Sequence, residues 1–260
     1  MKKVEKTIEL GGRKLTLQTG VLAQQASGAV LATYGETVVL ATVVRSRYEP
    51  NLGYFPLTVD YQERLYAGGR IKGSRWVKRE GRPSDDEILT ARLIDRSIRP
   101  LFPYSYKKEV QVIVTVLSVD IENDPTILSA VATSAALSIS SIPWKGPVAT
   151  IKVGMKGASY ITNPLDSEMA TSDLDLVVSS TEDAVVMIEA GAKEVEEDKI
   201  LGAIEHGKKE SEKILKAIEE FAKEHKVAVL TNDKALKKTL QKAKVKVLHI
   251  RQKKYLEAWT

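Results

Sequence analysis

No cysteine occurs among the 260 residues, which removes disulfides, thiolate metal sites and cysteine nucleophiles and leaves the redox compartment open. Histidine is nearly as scarce: His206, His225 and His249 all lie beyond residue 205, so no histidine pair or triad can be built on the larger part of the chain. No apolar run approaches the roughly 18 residues that a membrane-spanning helix requires. The opening Met1-Lys2-Lys3-Val4-Glu5-Lys6 is charged and has no apolar stretch behind it. It therefore does not read as a secretory signal, and the expected location is the cytoplasm, with no membrane partner. There is no Walker A motif, no strand running into a glycine-rich loop of dinucleotide-binding spacing, and no short-period repeat.

What is present is ordinary in amount and uneven in placement. Hydrophobic residues make up 43% and charged residues 28%, the range of soluble globular proteins and enough for one large or two modest cores. The net charge of +5 misleads as a whole-chain figure. Residues 206–260 hold 15 Lys/Arg against 7 Asp/Glu, and the first 205 hold 24 against 27. Where positive charge gathers in the first part therefore matters more than the overall pI.

Alternating residues from Val4 to Leu10 and Arg13 to Thr19, with Gly11-Gly12 between them, predict a hairpin. Ala29–Thr33 and Thr37–Val44 predict a second, and residues 54–61 another strand, at an edge or a bulge because of Pro56. Residues 62–82 lose apolar periodicity and gain four glycines, which predicts a long loop. A helix then starts at Ser84, whose capping box closes at Glu87, with Asp85 and Asp86 matching the helix dipole. Ile88, Ala91, Leu93, Ile94 and Ile98 give it an apolar side, and Pro100 stops it. A β-branched strand follows at Val110–Val119. Asp124-Pro125 opens an uncharged, hence buried, helix to about Ile139. Three or four strands are expected over 147–190 and a helix over Val195–Lys223. The Lys-rich end, with a strand-like run at Val245–Ile250, reads as the start of a helical region. The order of elements predicts an α+β layered architecture.

The loop at 62–82 carries seven basic residues, Arg64, Arg70, Lys72, Arg75, Lys78, Arg79 and Arg82, against Glu63 and Glu80. Guanidinium groups match phosphate oxygens, glycine backbone can approach a polyanion closely, and the indole of Trp76 offers a stacking face for an unpaired base. The bland alternative is a solvated loop with internal ion pairs and Trp76 as a core anchor, which is the usual fate of a charge run. Too few acids lie in this stretch to pair its cations, which favours a grip on a single strand. Arg92, Arg96 and Arg99 share one helix face at i, i+4 and i+7. For these an ion-pair lattice involving Asp95 is as good a reading as RNA contact.

The run from Phe55 to Ser74 (FPLTVDYQERLYAGGRIKGS) and that from Arg79 to Pro103 (REGRPSDDEILTARLIDRSIRPLFP) closely resemble the bacterial polynucleotide phosphorylase family. Gly28–Val43 and Ser172–Val178 add to the match. The resemblance covers residues 4 to about 205 and is to the first of that family's two RNase PH-like domains. It implies a ribosomal protein S5 domain 2-like β-α-β fold over residues 1–205 and the beginning of an all-helical linker domain over 206–260. It implies an activity in which inorganic phosphate attacks the 3′-terminal phosphodiester of RNA and releases nucleoside diphosphates. Mg²⁺ support, a homotrimeric ring around an RNA channel and degradosome partners belong to the same implication.

Two departures accompany the resemblance. The family's channel loop has two aromatics before two basic residues, where this chain has Trp76-Val77-Lys78-Arg79 preceded by Arg75. The catalytic pattern of the second domain is two aspartates six residues apart and a lysine two further on. Here the aligned positions hold Met169, Asp175 and Val177. The serine-rich phosphate cradle falls on Pro125-Thr126-Ile127. Catalytic residues and metal are therefore expected outside this chain, with Trp76, Lys78, Arg79, Arg82, Arg92, Arg96 and Arg99 as RNA-binding residues. The alternatives are a stand-alone, non-catalytic RNA-binding ring subunit of an exosome-like complex, and a structural, ribosome-associated member of the same fold.

Overall fold

The computed structural model describes residues 3–50, 52–71, 82–120, 122–157, 159–225, 229–230, 247–251 and 255–259. Strands β1 (Val4–Leu10) and β2 (Arg13–Thr19) form the expected hairpin, in register from Val4 opposite Thr19 to Leu10 opposite Arg13. Gly11 and Gly12 both take positive φ, 54° and 75°, as the tight turn requires. β3 (Gly28–Tyr34) and β4 (Thr37–Arg45) form the second hairpin. β5 (Leu57–Glu63) follows Pro56 and lies at the edge of a six-stranded sheet ordered β1-β2-β3-β4-β6-β5, where β6 is Val110–Ser118. β5 and β6 are parallel and α1 (Asp85–Ile98) connects them, which makes a β-α-β unit.

A second sheet of four antiparallel strands has the order β10-β9-β7-β8, from β7 (Ala149–Lys156), β8 (Ser159–Thr162), β9 (Leu174–Ser180) and β10 (Val185–Ala192). Between the sheets lies α2 (Pro125–Ile139), which packs on β3 and β4 on one side and β7 on the other. Twelve of its fifteen residues are buried; an uncharged helix of this kind is stable only with protein on most sides. Gly28 of β3 is needed for that packing, because a Cβ there would strike the carbonyl of Ala136.

α1 buries Thr90, Leu93, Ile94, Ser97 and Ile98, a stripe at i, i+3, i+4, i+7 and i+8. Ile88, expected on the apolar side, is exposed instead. The two polar members of the stripe are satisfied: Ser97 bonds to Leu93 O at 2.8 Å and Ser179 Oγ at 2.9 Å, and Thr90 pairs with Thr126 Oγ1 at 3.2 Å.

After a short α3 (Asp166–Met169), the chain ends its packed portion in α4 (Glu197–Glu224). The boundary expected between residues 205 and 206 falls inside this unbroken helix. Gly207, Ser211, Ile214, Leu215, Ile218 and Phe221 are buried, and the helix packs on β1, β7, β9 and α2. Beyond it, the described residues are strands, one of them on the strand-like run that the sequence shows at Val245–Ile250. β11 (Val229–Leu230), β12 (Val247–Arg251) and β13 (Tyr255–Trp259) form a three-stranded sheet. Among the described residues no helix is long and apolar enough to cross a membrane.

Candidate nucleic-acid interface

The basic segment of the sequence lies between the end of β5 and the start of α1. A 3-10 turn at Leu65–Gly68 follows β5 and is closed by Gly69 at φ 69°. The capping box at the head of α1 is present as the sequence predicts: Glu87 N donates to Ser84 Oγ at 3.2 Å, and Ser84 N to Glu87 Oε2 at 2.7 Å. The other carboxylate oxygen of Glu87 accepts from Glu63 N at 2.8 Å. One side chain thus ties together the last residue of β5 and the residue that caps α1.

Trp76, Lys78 and Arg79 lie outside the described residues, as do Lys72 and Arg75. Arg82 is exposed and has no hydrogen bond or ion pair among the described residues, and the same holds for Arg92 about two turns into α1. The other two helix arginines are engaged inside the chain. Arg96 Nη1 meets Glu189 Oε2 of β10 at 2.9 Å and Nη2 donates to Ile188 O at 3.3 Å. Arg99 grips Asp95 with Nε and Nη2 at 2.8 and 2.6 Å. It also donates to the carbonyls of Phe55 and Leu57 at 3.4 and 3.2 Å. The ion-pair lattice weighed for these arginines is therefore present at Arg96 and Arg99, and Arg92 keeps its donors free.

The positions aligned with the active pattern come together at the N-terminus of α2 and the start of β9. Met169 ends α3, Asp175 is exposed on β9, and Val177 is buried. The amide of Thr126 donates to the chain's own Asp124 Oδ1 at 2.7 Å, the N-cap of α2. A carboxylate at the helix mouth both satisfies the amide and repels a phosphate.

Sequence reasoning missed Lys152. In β7 it stands directly opposite Val177, and Asp175 is its diagonal neighbour two residues along β9. Its ammonium lies 3.4 Å from Asp175 Oδ2 and 3.5 Å from Asp124 Oδ2, with only 15% of the side chain exposed. Nearby, burial and then Asp124 raise the Asp166 carboxyl above the usual range, with Lys152 acting in the opposite direction. Among the described residues no group of three or more His, Asp or Glu is arranged to hold a metal ion.

A small cleft of about 20 Å³ borders this cluster, lined by Arg13, Tyr34, Asn123, Asp124, Lys152 and Asn163 among others. That is room for about one water molecule. The Arg13 guanidinium closes its wall, donating to Asn123 Oδ1 and the Asn163 carbonyl and lying 4.5 Å from the Tyr34 ring centre.

Against known proteins, residues 11–143 match the model of the 3′ exoribonuclease family, domain 1, and residues 146–210 match domain 2 of the same family. The chain belongs to the 3′ exoribonuclease family, with the RNase PH-like α+β fold. Its relatives within that family are polyribonucleotide nucleotidyltransferases. It is 58% identical to that of Chelativorans sp. over 201 residues and 57% identical to that of Parvibaculum lavamentivorans over 204. These cover 77% and 78% of this chain, which spans 28% of the length of each relative. Among solved structures, rice Rrp46 superposes with a TM-score of 0.64 at 16% identity, covering 78% of this chain and 92% of that one. A chain of the Archaeoglobus fulgidus exosome with RNA bound to the active site gives 0.60 at 20%, covering 82% and 86%. Both likenesses concern the fold.

Proposed function

We propose that this chain is the RNA-gripping first copy of a 3′-to-5′ phosphorolytic exoribonuclease. Such an enzyme degrades mRNA with inorganic phosphate to nucleoside diphosphates. The carrying observation is the identity with polyribonucleotide nucleotidyltransferases, across a family match that includes the basic loop. Trp76 stacks on a base of the single strand, and Lys78, Arg79 and Arg82 hold its phosphates. Arg92 extends the basic surface along α1, while Arg96 and Arg99 fix that helix and add positive potential. The base of the loop, joined through Glu87, keeps the grip in register with the domain.

The chemistry belongs to a second RNase PH-like domain outside residues 1–260, where Mg²⁺ would be held. A homotrimeric ring would give the loops a common channel, with docking of degradosome partners on the ring's exterior. Two observations support the assignment of catalysis elsewhere. Asp124 caps the helix where a phosphate would sit, and Met169 and Val177 stand where the active pattern has aspartate and lysine. The test is direct. Purified chain given poly(A) and phosphate should release no nucleoside diphosphate; robust release would overturn the reading.

The second reading is a stand-alone, non-catalytic ring subunit of an exosome-like assembly. It is favoured by the size match, since one copy of this fold covers most of the exosome chain it superposes on. The coding sequence past Thr260 separates the two: a second RNase PH-like domain in frame supports the first reading, and a stop codon the second.

A further inference from the structure

The Lys152 side chain is in an unusual position for a residue in the middle of an apolar strand. Its neighbours Ile151 and Val153 are fully buried on the opposite face of β7. Lys152 itself is 15% exposed, so its four-carbon stem is covered and its charged end must find partners inside the protein. It finds two carboxylates from different elements, Asp124 at the head of α2 and Asp175 on β9, at nearly equal distances of 3.5 and 3.4 Å. The strand register holds the second of these contacts: Lys152 opposes Val177, which places Asp175 on the same face. The backbone holds the first, because Asp124 is fixed as the cap of α2 through Thr126 N.

The family's Mg²⁺ does not fit this geometry. A magnesium or calcium ion needs oxygen ligands at about 2.0–2.6 Å. The Lys152 ammonium already pairs with both Asp124 Oδ2 and Asp175 Oδ2, and a divalent cation drawn to the same two oxygens would meet its positive charge at short range. Asp166 lies close enough to feel Asp124, Glu122 and Asp120 as well as Lys152.

We infer that Lys152 is a built-in counter-ion. Its ammonium takes the place a divalent cation would otherwise hold between Asp124 and Asp175, and this copy of the fold is complete without metal. The inference rests on the reading that metal chemistry lies outside this chain, and it adds the residue that excludes metal here. It is independent of RNA binding by the loop.

The test is a Mn²⁺ titration of the full 260-residue chain, followed by calorimetry and by paramagnetic broadening of backbone amide resonances. Wild type should show no selective broadening at Asp124 or Asp175. Lys152→Met keeps the apolar stem and removes the charge. It should acquire one Mn²⁺ site at those two residues, on the order of tenfold tighter than any binding by wild type, because ligand charge count sets affinity for hard cations. Lys152→Arg should remain without it. Mn²⁺ should raise the melting temperature of Lys152→Met and leave that of wild type unchanged.

Selective broadening at Asp124 and Asp175 in wild type would overturn the inference without recourse to any variant, and so would a folded Lys152→Met chain that gains no site. Release of nucleoside diphosphates from poly(A) by the same wild-type preparation would instead overturn the functional reading beneath it.

Discussion

Glu87 accepts the amide of Glu63 with one carboxylate oxygen and the amide of Ser84 with the other, so one side chain closes the base of the basic loop. Both bonds are charge-assisted, and the capping half alone stabilises a helix start. Glu87→Ala should cost about 1–2 kcal/mol in chemical denaturation. It should also weaken single-stranded RNA binding at temperatures where the variant is fully folded, because the loop loses its fixed base. Unchanged RNA affinity in a destabilised variant would separate the clamp from the grip.

The arginines of α1 should divide into two kinds. Arg92 has free donors, whereas Arg96 and Arg99 are bound to Glu189 and Asp95. Arg92→Ala should leave the melting temperature unchanged and make the salt dependence of RNA binding shallower by about 0.7, the share of one phosphate contact on a single strand. Arg96→Ala should cost at most about 1 kcal/mol, as exposed ion pairs do, with a smaller effect on the salt slope. Fluorescence anisotropy at several salt concentrations, alongside thermal melts, checks both.

Phe221 tests where the packed domain ends. It is fully buried near the end of α4, past the boundary at residue 205 that the resemblance implies. Phe221→Ala should cost about 3–5 kcal/mol, the range for a large aromatic removed from a core. A loss below about 1 kcal/mol, the level of an exposed pair, would mean the helix end is not part of that core.

The signals that were legible in the sequence were local ones. Gly11-Gly12 set a hairpin, Ser84 and Glu87 set a helix start, and the uncharged run after Pro125 marked a helix with protein on most sides. The boundary that the resemblance implies after residue 205 falls inside α4, the helix that the sequence predicts over Val195–Lys223. The excess of lysines beyond residue 205 includes Lys208, Lys209, Lys213, Lys216 and Lys223 on α4, whose other side buries Gly207, Ser211, Ile214, Ile218 and Phe221. The local excess of positive charge is therefore the solvent face of a packed helix. Ile88 was assigned inward because it is apolar, but the buried stripe is completed by Thr90 and Ser97 through hydrogen bonding. Lys152 was invisible for another reason. Alternation in β7 put it opposite the buried residues, which reads as the solvent face, and only the pairing of β7 with β9 brings Asp175 to it.

Asp120 gives a pH signature. Burial pushes its carboxyl up, but the amides of Glu36, Asn123 and Glu122 and the Asn123 side chain outweigh that and hold it below the usual range. A carboxyl lowered in the folded state contributes stability that is fully present above its unfolded value, near 3.8, and is lost as pH falls through the folded value. The melting temperature of Asp120→Asn should therefore lie below that of wild type at pH 7, and the gap should narrow below about pH 3.8. A gap that persists undiminished in acid would show that the bonds do not depend on the charge.

The most direct measurement is the affinity of this chain for an unstructured oligo(A) RNA over a range of salt concentrations, wild type against the double variant Lys78→Glu/Arg79→Glu. The account predicts weaker binding at every salt concentration and a log-log slope shallower by at least about 1.4, two phosphate contacts at about 0.7 each. Affinity and slope that survive the charge reversal unchanged would contradict it.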